Sequence, residues 1–384
     1  MEVMTNVEGK QFTFIKILFV VDSIYTWKSG IWFHRNHLPS MGLKSRGHAC
    51  RFVVLLDQMS KELLEWPDVV IFGRTYGQRK KPVKVMQQFK ERGVRVLYDI
   101  DDDLWTVNPE NPSVFVSNAY KDQYEGMIRE CDAVITPSPI LAKKIQKLCK
   151  KKVFPAPNMI HTQYYKERPH QEKRLMIGYT GASSHWKDLA IIIEPLQKLQ
   201  KKHDFFFTLQ GMVAAPLEGE MYVYSEILKQ NLQPEKKAYI EAALEWYQEL
   251  KDIEMQHIPF YPPALYPTVL SKADIDIGLA PLIENEFNSG KSNIKYYEYA
   301  SVGTCCLASD VEPYKQEVNY RAKNTTDDWV NKLERLIVDE KFRKELTDKQ
   351  RDWVLKNRNV YQVAVDWEIA CQRPGGLKVL NQQR

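Results

Sequence analysis

Three segments of this chain hold residue types that do chemistry on anionic or polyhydroxylated ligands. The first is Phe287-Asn288-Ser289-Gly290-Lys291-Ser292-Asn293-Ile294-Lys295-Tyr296-Tyr297-Glu298, running on to Gly303. Lys291, between Gly290 and Ser292, has the setting of a point charge for a diphosphate. Lys295 is a second candidate cation or a solvated surface lysine. Glu298 offers a carboxylate that accepts paired hydrogen bonds from vicinal ribose hydroxyls. Ser292 and Asn293, at the entry to the helix, complete this candidate ligand set. The second segment is Gly178-Tyr179-Thr180-Gly181-Ala182-Ser183-Ser184-His185. Gly181 lets the backbone approach a ligand closely, and Ser183, Ser184 and His185 stand where free N–H groups and hydroxyls meet phosphate oxygens. The bland alternative is a turn with Ser184 as helix cap. The third segment is split in sequence. Asp99-Ile100-Asp101-Asp102-Asp103 ends a strand, and Asp101 is the aspartate assigned to the chemistry. Arg35, after Gly30, sits at a loop-to-helix junction suited to an anion.

The elements that must position these residues are strands and helices in alternation. Phe14–Val21, Ala49–Leu56, Asp68–Phe72, Val94–Ile100 and Ala133–Thr136 read as strands. His34–Arg46, Pro82–Arg92 and Ile140–Lys150 read as the helices between them. The pattern restarts at Leu175. The expected fold is α/β, two Rossmann-like domains with parallel sheets facing across a cleft. The predicted boundaries are 1–168, 169–357 with a helical insertion at 213–254, and 358–384 packing back on the first domain. The insertion carries Tyr222, Tyr239 and Trp246 beside an acidic surplus. Those aromatics are expected either to cover their own domain or to form a homodimer or acceptor contact.

With 384 residues the chain is long enough for two cores. A net charge of +5 admits anionic ligands without demanding nucleic acid. The basic runs Arg74…Lys84 and Lys143…Lys152 read as solvated helix faces, or as contacts to a membrane surface or polyanion. No apolar run reaches the roughly 18 to 20 residues of a membrane span. The six cysteines lack metal-ligand spacing and read as reduced thiols, which gives a cytoplasmic expectation, peripheral to the inner membrane face at most.

The Gly178–His185 loop with Asp188, the Asp276–Leu282 strand, the Phe287–Ser309 segment and Asp132–Thr136 leading to Asn158 together resemble a GT-B nucleotide-sugar glycosyltransferase of family 4. The resemblance implies that the donor, a UDP- or GDP-sugar, is a substrate of the C-terminal domain and that no cofactor is permanently bound. It gives Glu298, in Glu298-Tyr299-Ala300-Ser301-Val302-Gly303, the ribose contact. It makes Lys291 the diphosphate lysine and puts Gly181 opposite it. Where the family often has another glutamate, eight positions before Glu298, this chain has Gly290. The implied reaction is transfer with retention and without metal, to a glycan, lipid-linked, protein or other acceptor. Lys291, together with Arg35 and Asp101 as read from the first-domain residues themselves, makes up the expected catalytic set. Two alternatives stand beside it: a noncatalytic protein of this fold that binds a polyanion or nucleic acid, and a sugar-nucleotide epimerase.

Overall fold

The computed structural model describes residues 3–5, 11–21, 29–55, 59–74, 81–107, 111, 113–169, 174–212, 217–232 and 234–373. The chain forms two compact units. One comprises Met1–Asp103, Ala119–Met159 and Asn359–Arg384; the other comprises Leu104–Asn118 and Ile160–Arg358.

The first unit is built on β1 (Lys16–Val21), β2 (Ala49–Val54), β3 (Val69–Phe72), β4 (Arg95–Asp99), β5 (Ala133–Thr136) and β6 (Lys152–Pro155). They lie in the order β2-β1-β3-β4-β5-β6, every neighbouring pair parallel. The central strands are buried along their whole length, which is why they read as unbroken apolar runs. The C-terminal helix Val360–Cys371 packs on the helix Leu38–Ser45 of this same unit.

The segment expected as one helix from His34 is interrupted. A turn at Gly30–Trp32 leads into the wider π-turn Phe33–His37, and an α-helix resumes at Leu38–Ser45. Pro39 supplies the reason. It has no N–H for the carbonyl four residues back, and its ring crowds that carbonyl. The extra residue in the turn relieves this and swings Arg35 and Asn36 inward, where both are buried.

The second unit repeats the plan with β7 (Leu175–Ala182), β8 (Phe205–Met212), β9 (Met255–Ile258), β10 (Ile277–Ala280), β11 (Cys305–Ser309) and β12 (Arg321–Ala322). Their order is β9-β8-β7-β10-β11-β12, again wholly parallel. Side chains alternate across the sheet. Ile177, Tyr179, Phe205, Phe207 and Leu209 enter one core together with Leu189, Ile192 and Leu196 of α1 (Trp186–Gln200). The intervening positions, among them Thr180 and Gln210, belong to the opposite face.

The insertion supplies α2 (Leu217–Leu228) and α3 (Pro234–Leu250). Trp246 is 4% exposed and lies edge-on to Trp186 with ring centres 4.3 Å apart. The Trp186 indole N–H donates to the Tyr239 hydroxyl at 2.8 Å. Trp246 and Tyr239 therefore pack on the unit's own core, the first of the two alternatives expected for them. Tyr222, 66% exposed, is the one of the three that faces solvent. Among the described residues no helix is long and apolar enough to cross a membrane.

Candidate functional site

The expected ligand residues of the second unit gather at the carboxyl ends of β7 and β10. Three short helices carry or support them: α4 (Tyr266–Lys272), α5 (Glu286–Ser289) and α6 (Ile294–Ser301). Asn285 caps α5 by accepting from Asn288 N–H at 2.7 Å, and Gly290 closes it. α6 then begins directly after Asn293. Its Tyr299 ring crosses Gly278 of β10, where a Cβ would lie 2.6 Å from that ring, so glycine is required. The crossing brings the Tyr299 hydroxyl to Thr180 N–H at 2.8 Å and to the Leu279 carbonyl at 3.3 Å. One phenol thus fixes α6 against both strands that frame the site.

Glu298 is 6% exposed and is held from two sides. Tyr165 donates to Oε1 at 2.8 Å, and the Tyr266 hydroxyl lies 3.2 Å from Oε2. Tyr266 is also 3.0 Å from the Thr180 hydroxyl. With one proton, Tyr266 donates to the carboxylate and accepts from Thr180. Burial and the Glu298 charge push both phenols well above their ordinary range, so they remain donors. A carboxylate oxygen accepts more than one hydrogen bond.

Lys295 is half-buried, its ammonium 5.5 Å from the centre of the Tyr179 ring. Among the described residues no hydrogen bond or ion pair engages it. Its pKa is lowered to about 8, first by burial and then by the charge of Lys291, while Asp188 and Glu298 pull it back up. Lys291 lies at the C-terminal end of α5, 4.5 Å from the Phe287 ring centre. Two lysines therefore raise the potential of one pocket edge.

His185 and Asp188 form a tight pair, Nδ1 to Oδ2 at 2.6 Å, and Asp188 Oδ1 accepts from Ile283 N–H at 2.8 Å. Burial and the charge of Lys295 bring the imidazole down to about 4, despite Asp188. His185 is therefore neutral at physiological pH, with its proton on Nδ1 facing the carboxylate and the Nε2 lone pair available. Gly181 sits beside this pair, where a Cβ would meet the Tyr179 hydroxyl at 2.6 Å. The side chain of Ser183 lies outside the described residues. The Asn293 amide nitrogen donates to Glu317 Oε2 at 2.7 Å, which ties the start of α6 to that carboxylate. Glu317 also accepts from Tyr297 at 2.5 Å and pairs with Arg358. Ser292 lies half-buried between Lys291 and Asn293.

The first unit treats its two candidates differently. Arg35 is 1% exposed and donates through Nε and Nη2 to Asp99 at 3.1 and 2.6 Å, and through Nη1 to the Ala156 carbonyl and to Asn158. Its guanidinium also lies 4.7 Å from the Trp367 ring centre. Arg35 is a structural tie between β4, the segment after β6 and the C-terminal helix. This corrects its assignment to the catalytic set. Asp101 lies 3.3 Å from Arg74 Nε, and Asp102 3.4 Å from Arg74 Nη1. Burial raises the Asp101 carboxyl to about 6; Arg74 opposes the rise, and Asp102 and Asp99 add to it. Arg74, read from the sequence as part of a basic surface run, is thus committed to the aspartates.

Sequence reasoning missed Tyr165, Tyr266 and the Glu317–Arg358 pair. Tyr266 opens a helix of seven residues shortly after Pro262 and Pro263, too short for a periodic signal to mark its inward face. Tyr165 meets Glu298 across 133 positions, a distance no local pattern spans.

No protein-family model and no curated protein sequence matches the chain. Solved structures do. An alpha-glucosyltransferase in complex with UDP aligns over 94% of this chain and 100% of its own, with TM-score 0.63 and 13% identity. An alpha-glucosyltransferase with UDP-glucose and DNA containing an abasic site aligns over the same shares, with TM-score 0.62 and 12% identity. A glycosyltransferase involved in avilamycin A biosynthesis aligns over 93% and 97%, with TM-score 0.56 and 12% identity. At such identities the likeness is one of fold. This chain has the GT-B fold, two Rossmann-like units with parallel sheets, that these glycosyltransferases share.

Proposed function

We propose that the protein is a glycosyltransferase that takes its sugar from a nucleoside-diphosphate sugar, a UDP-sugar, bound by the second unit. The observation that carries this reading is Lys295. It is a cation that burial disfavours, set beside Lys291 and lacking a paired carboxylate among the described residues. Such a group is stabilised by an anion delivered from outside, and a diphosphate is the anion that also reaches Glu298 through its ribose. The nucleotide complexes of the fold neighbours support UDP as the nucleotide.

In this reading the bond from the anomeric carbon to the diphosphate oxygen breaks and its electron pair stays on the diphosphate. Lys291 and Lys295 stabilise that charge more as it grows, which is what accelerates the step. The acceptor oxygen bonds to the anomeric carbon from the same face, and its proton passes to the departing phosphate oxygen. The configuration is retained, and lysine charges do the work that a metal does elsewhere. Asp101 of the first unit serves the acceptor side. DNA bound to one neighbour and the basic helix faces of the first unit favour a polyanionic acceptor over a neutral one.

The test is incubation with UDP- and GDP-sugars, followed by NMR of the products. Slow release of UDP with an α-configured sugar product supports the reading. Conversion to an isomeric UDP-sugar favours the epimerase. Tight polyanion binding with no nucleotide binding favours the noncatalytic reading.

A further inference from the structure

Gln210 is 1% exposed, yet neither atom of its carboxamide has a hydrogen-bond partner among the described residues. A buried amide left this way is costly, and interiors rarely tolerate it without a reason. Its position supplies one. Gln210 stands in register with Thr180 of β7 on one side and Ile258 of β9 on the other. Strand alternation puts it on the face of Thr180, opposite the core entered by Leu209 and Tyr179. Thr180 is the residue whose hydroxyl meets Tyr266, which in turn holds Glu298. Just beyond Gln210 the strand is bent: Gly211 has φ +85°, its absent Cβ would lie 2.2 Å from the Gly181 carbonyl, and Met212 has φ 62°. The bend ends β8 beside the amide. Past Ile258, Phe260 and Tyr261 are 47% and 39% exposed.

In the UDP-sugar reading Lys291 and Lys295 take the diphosphate and Glu298 the ribose. Thr180 is linked to Glu298 through Tyr266 and stands in register with Gln210, so Gln210 lies one strand beyond that ribose contact. We propose that Gln210 pairs with the hydrogen-bonding edge of a uracil base. One amide atom accepts from the ring N3–H, and the other donates to the neighbouring carbonyl. A carboxamide presents one donor and one acceptor side by side, as that edge requires, and turns to suit it. The inference rests on the UDP-sugar reading.

Titration calorimetry with UDP and with N3-methyl-UDP, on the wild type and on Gln210→Leu, tests it. In the wild type the methyl group should weaken binding by about tenfold to a hundredfold, the range for a lost buried hydrogen-bond pair. Gln210→Leu should weaken UDP by a similar factor and bind the two nucleotides about equally. Its ligand-free melting temperature should hold or rise, because an unpartnered buried amide is removed. Equal discrimination in wild type and variant would overturn the proposal, as would no discrimination in the wild type. A variant that fails to fold would overturn it too, since the amide would then be part of the ligand-free core. If the wild type binds no UDP at all, the donor reading itself fails; binding without this coupling sinks Gln210 alone.

Discussion

Lys295 carries its charge where burial resists it, and this has consequences in two directions. Its folded-state value of about 8 lies below the ordinary 10.5, so between these values the unfolded chain binds the proton more than the folded one. Stability contributed at this position therefore rises with pH across that window. Chemical denaturation of wild type and Lys295→Met should show the wild type gaining relative to the variant above pH 8. Nucleotide affinity should move the opposite way, falling above pH 8 as the ammonium loses its proton. Glu298→Ala should weaken nucleotide-sugar binding by roughly 1.5 to 3 kcal/mol, the worth of a hydrogen bond to a charged group. Steady-state kinetics would read it in KM. For Asp101, raised to about 6, kcat/KM should climb as the carboxyl ionises through that pH. Asp101→Asn should remove that limb of the profile, and an unchanged profile would take Asp101 out of the chemistry.

At the scale of elements, α6 is the part on which the site depends. It carries Lys295 and Glu298, and its start is anchored by Asn293 and Tyr297 to Glu317, itself paired with Arg358. Arg358 is the last residue of the second unit, and its carbonyl accepts at 2.9 Å from the N–H of Ile160, the residue at which the chain re-enters that unit. Glu317→Ala should leave Arg358 without its carboxylate and loosen α6, costing about 1 to 3 kcal/mol in urea denaturation together with donor affinity. Loss of stability with unchanged affinity would show that α6 is held by other contacts. The strands and most helices were legible in the sequence, because parallel strands buried on both faces leave apolar runs and helices end at Gly47 and Gly93. The helix bearing Glu298 was legible for the same reason. The inward turn of Arg35 was not, because it follows from a π-turn forced by Pro39 and from a partner 64 positions away. Arg35 at a glycine-to-helix junction has the same sequence signature whether it meets a ligand or Asp99.

Over the whole molecule, Trp246 and Tyr239 tie the insertion to the core of the second unit. Trp246→Ala should cost about 3 to 5 kcal/mol, the usual range for emptying a buried indole site. Light scattering of the folded variant should give an unchanged mass. A change of mass would return α3 to the role of an interface. Activity should survive EDTA if, as proposed, Lys291 and Lys295 stabilise the leaving diphosphate. Loss in EDTA, restored by Mn²⁺ or Mg²⁺, would move the chemistry to the Asp101–Asp103 cluster. The most direct test of the central claim is calorimetric titration of UDP from pH 6.5 to 9.5 into wild type and Lys295→Met. The account predicts binding to the wild type that is steady up to about pH 8 and weakens above it, and weaker binding to the variant without that fall. No UDP binding, or the same decline above pH 8 in both proteins, would contradict it.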